Sequence, residues 1–303
     1  MIETDQLLFE RRESVASITF NRPEARNAMT WEMYNALYEC CEAVDADDEI
    51  RVLVLRGAGD KAFVAGTDIK QFLEFESGED GIAYEKRMER VIGRLEAVRK
   101  PTVAVIDGYA IGGGLSIAAV SDLRICTPEA KFGMPIARTL GNCLSIENYA
   151  RLMALIGPAR TKALIFTARM FSAEEALAAG LATEIVVRKE LDGRVSELCA
   201  TLETHAPITM RITKGRPCAA SPSPGYSTPA TWSGRPMAAT TSTRASPPSP
   251  RSAARTGRVA SCYRRAVFWR ARRAPAADCG VTPTRCDTIL TPPERNTVQH
   301  WAR

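Results

Sequence analysis

The chain has 303 residues, 45% hydrophobic and 25% charged, the balance of a soluble globular protein long enough to bury a sizeable core. No run approaches the roughly 20 apolar residues needed to span a bilayer. Residues 1–10 carry Glu3, Asp5 and Glu10 in place of a basic and then apolar leader, so a cytoplasmic location is expected. The nine cysteines form no C-x-x-C pair, which argues against both a disulfide framework and a zinc site.

The formal charge of +5 conceals a division near Lys214. Residues 1–214 hold 26 Lys and Arg against 32 Asp and Glu, whereas residues 215–303 hold 14 Arg, no Lys, three acidic residues and 12 of the 18 prolines. Two segments of different character are therefore expected: a folded unit over residues 1–214 and an atypical tail over 215–303.

In chain order, residues 14–20 read as a strand, with Val15, Ile18 and Phe20 as its apolar positions, before the turn Asn21-Arg22-Pro23. Thr30 is placed to cap a helix that carries Met33, Leu37, Cys40, Cys41 and Val44 at helical spacing. The apolar runs 51–56 and 102–106 each end near a glycine and predict strands buried on both faces, with an amphipathic helix over about residues 81–98 between them. Strand–helix–strand order argues for parallel β/α units. Gly157-Pro158 predicts one helix ending and another starting. Ser172-Ala-Glu-Glu175 is a capping box, and Gly180 suits a helix C-terminus. A short strand is expected over 184–187, a helix over 191–204, and the start of another at Pro207.

From Gly215 onward no hydrophobic period is sustained. Such a segment gains too little from burial to offset its ordering entropy, so it is expected to be disordered or poorly packed. Arg264-Arg265, Arg270 and Arg272-Arg273 interleave with Phe268 and Trp269, a pattern open to reading as a nucleic-acid or anionic-lipid patch. An Arg-only, Pro/Ser/Ala-rich composition is also what out-of-frame translation of a GC-rich gene gives, and that explanation is preferred; neither nucleic acid nor membrane is expected as a partner.

Four stretches carry the chemistry: Asn21-Arg-Pro-Glu-Ala-Arg-Asn-Ala28, Phe63-Val-Ala-Gly-Thr-Asp-Ile69, Asp107-Gly-Tyr-Ala-Ile-Gly-Gly-Gly114 and Ser121-Asp-Leu-Arg-Ile125. In order and spacing, over about residues 8–214, they resemble the crotonase (enoyl-CoA hydratase/isomerase) superfamily. The resemblance implies an α/β fold, a crotonase-like spiral of ββα units with two roughly perpendicular sheets. It also implies assembly as a homotrimer or hexamer, and an acyl-CoA substrate with coenzyme A as the only cofactor-like group. No metal is expected. An enzyme of this kind stabilises negative charge on a thioester oxygen, a task suited to preorganised backbone N–H donors. Small residues at Ala65-Gly66-Thr67 and Gly112-Gly113-Gly114 let the backbone approach a ligand. Carried over residue by residue, the donors are the N–H groups of Thr67 and Gly113. The run is not G-x-G-x-x-G, so a dinucleotide reading fails.

The resemblance further places Arg26 and Ala28 near the coenzyme A phosphates and the adenine–pantetheine bend. Ala65, Gly66, Asp68 and Ile69 fall along the adenine and pantetheine path, although Asp68 is equally an N-cap of the short helix that follows. Tyr109, Gly112, Ser116, Pro135, Ile136 and Leu140 fall near the acyl pocket, as does Cys143; Glu147 lies in the segment 140–151 that resembles one pocket wall, but its preferred reading is a solvent-facing residue in a first helical turn. Asp122 reads as a structural hydrogen-bonding residue.

Family hydratases have one glutamate two residues after the glycine triplet and a second after the proline of a Phe-Gly-x-Pro-Glu stretch. Here those positions are Ser116 and Ile136. Neither a hydroxyl nor an alkyl side chain shuttles protons as a tuned carboxyl does, so the resemblance leaves the reaction open. The leading expectation is an enzyme acting on an acyl-CoA through an enolate; the alternative is a non-catalytic acyl-CoA-binding relative.

Overall fold

The structure, a computed structural model, describes residues 4–72, 75, 77–139 and 143–215. The expected tail, apart from Gly215, lies outside the described residues.

β1 (Leu7–Arg12) and β2 (Val15–Phe20) form a hairpin, followed by α1 (Trp31–Ala46). Three ββα units come next. They are β3 (Val52–Gly57), β4 (Ala62–Val64) and α2 (Gly78–Glu96); β5 (Thr102–Ile106), β6 (Tyr109–Ile111) and α3 (Gly113–Val120); and β7 (Leu123–Cys126), β8 (Lys131–Gly133) and α4 (Ile136–Thr139). The chain closes with α5 (Ile146–Thr167), β9 (Met170–Ser172), α6 (Ala173–Ala178), β10 (Glu184–Ile185), α7 (Arg188–Thr204) and α8 (Pro207–Lys214). In each unit the first strand joins a six-stranded sheet, β1-β2-β3-β5-β7-β10, and the second joins a four-stranded sheet, β4-β6-β8-β9. Repeated transfer from one sheet to the other brings the β4 and β6 ends, with the turns after them, side by side.

The sequence pattern accounts for most of these elements. In β3, Leu53 and Leu55 join the main core while Val52 and Val54 join a second cluster beneath α7, so both faces are buried as the apolar run requires. β5 divides in the same way, with Ala104 and Ile106 against Val103 and Val105. In β2 the pleat separates the expected apolar set. Ala16, Ile18 and Phe20 face the main core, while Val15 packs against the second cluster. Thr30 caps α1 by accepting from Met33 N at 3.2 Å. α2 begins three residues before its expected start, where the Asp80 carboxylate accepts from Ser77 N at 2.7 Å. Gly157 (φ 78°, ψ 158°) breaks helical geometry before Pro158, so α5 consists of two helices that meet at a kink where the sequence places the boundary.

Asp122 is structural, accepting from Thr102 N (2.7 Å), Thr102 Oγ1 (2.8 Å) and Lys214 Nζ (2.7 Å), which ties the end of α8 to the sheet. Among the described residues, no helix is long and apolar enough to cross a membrane.

Candidate active site

Two turns build the centre of the site. The first follows β4. Met29 N donates to Gly66 O (2.8 Å) and Asp68 N donates to Met29 O (2.9 Å), forming a parallel bridge around Thr67. In such a bridge the central residue's own N–H is directed away from the partner strand. The second follows β6. Gly112 N donates to Gly133 O at 2.9 Å, and Gly112 takes φ 55°, ψ −116°, a conformation open to glycine and strained for other residues. α3 then starts at Gly113, whose N–H is one of the first-turn donors that a helix leaves without an internal partner. Among the described residues, no backbone carbonyl accepts from Thr67 N or Gly113 N.

The two turns face each other closely. A Cβ on Gly112 would lie 3.7 Å from Gly66 Cα, and one on Gly113 would lie 3.6 Å from Thr67 Oγ1. One on Gly114 would lie 2.0 Å from Val64 O, which is why α3 can press against β4 only with glycine there.

A buried hydroxyl network supports the first turn. Thr67 Oγ1 lies 2.8 Å from Tyr34 Oη and 2.9 Å from Tyr84 Oη, joining α1 and α2 to the site. Burial pushes the Tyr34 phenol well above its ordinary pKa; the bond to Thr67 opposes that shift and the charge of Glu85 adds to it, so Tyr34 stays neutral. Trp31, Phe72 and Phe75 pack around Tyr84 with ring centroids 5.0–6.2 Å away.

These groups enclose a cavity of about 160 Å³. Of the residues expected from the sequence, Ala65, Gly66, Thr67, Ile69, Gly112, Gly113, Pro135 and Ile136 all line it. Phe72, Tyr84, Glu85, Ile111, Met134, Thr139 and Leu144 complete the wall, and no sequence motif singles out Phe72, Tyr84 or Glu85 for it. Glu85 and Tyr84 sit beside each other on α2, and Glu85 Oε2 accepts from Ser145 N at 2.9 Å. The helical period marks Tyr84, Met88, Val91, Ile92 and Leu95 as the buried face of α2. Which neighbour the flanking Glu85 meets is set by packing across more than fifty residues.

Other expected positions lie elsewhere. Ser116 is buried in α3, its hydroxyl directed back to Gly112 O at 3.4 Å, and it does not line the cavity. Glu147 is exposed in the first turn of α5, and the half-buried Cys143 is not among the lining residues. Asp68 accepts from Lys70 N (3.1 Å) and pairs with Arg22 Nη1 (3.1 Å), so its capping reading describes its place. Burial pushes the Asp68 carboxyl up, but Lys70 N–H and Arg22 outweigh this and hold it below the usual range.

Arg26 O accepts from Ala65 N at 3.0 Å, so the 22–28 loop backs the cavity wall, with Ala28 half-buried in it. The Arg26 side chain instead lines a separate cleft of about 310 Å³ with Pro23, Gly59 and Lys61, its guanidinium carbon 5.7 Å from the Tyr109 ring centroid. Neither Ala28 nor Tyr109 lines the cavity between the two turns. Leu140 lies outside the described residues. Among the described residues, no group of three or more His, Cys, Asp or Glu is placed to hold a metal ion.

Comparison with known proteins agrees with this architecture. A family model described as enoyl-CoA hydratase/isomerase matches residues 10–222. The short-chain-enoyl-CoA hydratase of Clostridium acetobutylicum is 34% identical over 213 residues, 70% of this chain and 81% of that protein. The crotonyl-CoA hydratase of Syntrophomonas wolfei is 32% identical over 210 residues, 69% of this chain and 80% of that protein. The crystal structure of an enoyl-CoA hydratase/carnithine racemase from Magnetospirillum magneticum superposes with a TM-score of 0.67 at 31% identity, covering 70% of this chain and 79% of that one. With its alternating transfer of strands between two sheets and these relatives, the chain belongs to the enoyl-CoA hydratase/isomerase family, a crotonase-fold family.

Proposed function

We propose that the chain binds an acyl-CoA thioester in this cavity, with the carbonyl oxygen between the N–H groups of Thr67 and Gly113, and stabilises the enolate that forms when a proton leaves the adjacent carbon. The observation that carries the reading is the pair of facing turns whose two N–H donors no backbone carbonyl takes up among the described residues. Fixed donors of this kind stabilise developing negative charge without reorganising, each worth about 10²–10³ in rate. Ile69, Phe72, Ile111, Met134, Ile136 and Leu144 give the cavity an apolar lining suited to an acyl chain. Arg26 and Lys61, in the neighbouring cleft, supply positive charge for the phosphates of coenzyme A.

Ser116 and Ile136 occupy the two positions where family hydratases carry glutamates. Those two positions therefore supply no acid/base pair for water addition, which favours a second reading in which the chain binds acyl-CoA without turning it over. Turnover of a panel of acyl-CoA thioesters, with free coenzyme A as binding control, separates the two. The donor assignment is tested in a Tyr34→Phe background, where Gly113→Ala keeps the N–H and Gly113→Pro removes it. Only the proline variant is expected to lose turnover; equal turnover in both sinks the assignment. Assembly as a trimer or hexamer belongs to the same proposal, and sedimentation velocity of the purified chain tests it. For residues 215–303 we favour out-of-frame translation, which fails if no single-base shift near codon 214 restores a periodic helical ending.

A further inference from the structure

Among the described residues that line the cavity, one carboxylate is present: Glu85. It follows Tyr84 on α2, and Tyr84 Oη bonds the hydroxyl of Thr67 at 2.9 Å, so the same turn of helix that braces the first N–H donor sets Glu85 in the cavity wall. Glu85 Oε2 accepts from Ser145 N (2.9 Å), and Ser145 caps α5 by accepting from Asn148 N (3.1 Å). The start of α5 thus holds the carboxylate in place through the Ser145 N–H. A carboxylate has about four acceptor positions, so holding Ser145 N–H is compatible with taking up a proton.

We propose that Glu85 is the proton-transfer residue of this site, acting at the carbon next to the thioester carbonyl; the proposal rests on the acyl-CoA reading above. Glu85 takes a proton from C2, and the C–H electron pair passes into the carbonyl, whose oxygen becomes an enolate held by Thr67 and Gly113. In a 3-enoyl thioester the charge extends to C4, and Glu85 returns the proton there as the double bond moves from C3–C4 to C2–C3. The cycle closes with no water, oxidant or second acid. That suits a cavity lined by Ile136, with Ser116 outside it and turned back to Gly112 O, these being the two positions where the resemblance expects glutamates.

The competing role is structural: Glu85 simply tethers α5 to α2. Glu85→Gln separates the two, because its amide oxygen still accepts from Ser145 N while losing the base. The full-length chain is incubated with butyryl-CoA in D₂O and C2 deuterium uptake is followed by NMR, with butyryl-CoA binding measured by calorimetry. Wild type is expected to exchange the C2 protons and to shift a 3-enoyl-CoA to its 2-enoyl isomer. Glu85→Gln is expected to slow both at least about 100-fold while binding stays within about twofold. Should the glutamine variant fail to fold, Glu85→Asp, which withdraws the carboxylate by one methylene, is expected to slow exchange about tenfold or more at unchanged binding. Undiminished exchange in a folded variant, or a wild type that binds the thioester without exchanging it, overturns the assignment of Glu85. A wild type that binds no acyl-CoA overturns the thioester reading instead.

Discussion

Tyr34 and Gly113 offer a test of the site's construction that needs no substrate. An ideal Cβ on Gly113 falls 2.5 Å from Tyr34 Oη, and its next neighbours are Thr67 Oγ1 at 3.6 Å and Met88 Cε at 3.8 Å. Tyr34 is fully buried, so its ring has nowhere to swing. Gly113→Ala alone therefore overpacks the site and is expected to cost about 1–3 kcal/mol, less whatever the better helix former returns at the start of α3. Tyr34→Phe alone is expected to cost about 1 kcal/mol, because Thr67 Oγ1 loses one hydroxyl partner but keeps Tyr84 Oη. In the double variant the clashing oxygen is absent and the new methyl meets only ordinary contacts. The two changes should then compensate, with a favourable interaction energy of about 1–2 kcal/mol. Urea unfolding of wild type, both single variants and the double variant measures this directly. Additivity within about 0.5 kcal/mol would refute the packing argument, and with it the claim that glycine at 113 is required by Tyr34.

Gly114→Ala lacks any such relief, since its Cβ would meet backbone Val64 O at 2.0 Å. It should destabilise by about 3 kcal/mol or more and weaken acyl-CoA binding by displacing α3 from β4, whatever residue stands at 34. Asn27 is fully buried; it donates to Ala58 O (2.9 Å) and Ala62 O (2.7 Å) and accepts from Arg22 N (2.9 Å), at φ 56°. Asn27→Ala should cost about 3–5 kcal/mol in urea unfolding, because it leaves buried polar groups unpaired in a left-handed conformation that asparagine tolerates better. Burial pushes the Cys41 thiol from the ordinary 9.0 up to about 12. Between those values the unfolded chain ionises there and the folded chain does not, so stability is complete below pH 9 and falls as pH rises toward 12. The slope is up to about 1.4 kcal/mol per pH unit for this thiol, and Cys41→Ala should flatten it. An unchanged pH slope in that variant would contradict the assignment.

Local features of this protein are written in short stretches of its sequence. Thr30 before an apolar face, the Ser172–Glu175 box and the apolar runs at 52–55 and 102–106 specify caps, helices and doubly buried strands, because hydrogen-bond satisfaction and burial act over a few residues. The small residues at 65–67 and 112–114 likewise mark two places of close backbone approach. What they cannot specify is that these turns, about 45 residues apart, face each other; transfer of β4 and β6 to the same sheet decides that. Packing also decides which polar groups enter the cavity. Ser116, which the resemblance expects beside the acyl pocket, is turned into its own helix, and Asp68 is drawn into a pair with Arg22. Glu85, on an ordinary amphipathic helix, is brought to the cavity because the buried face of α2 packs against α1 and α3, and no short-range pattern in the sequence records that contact.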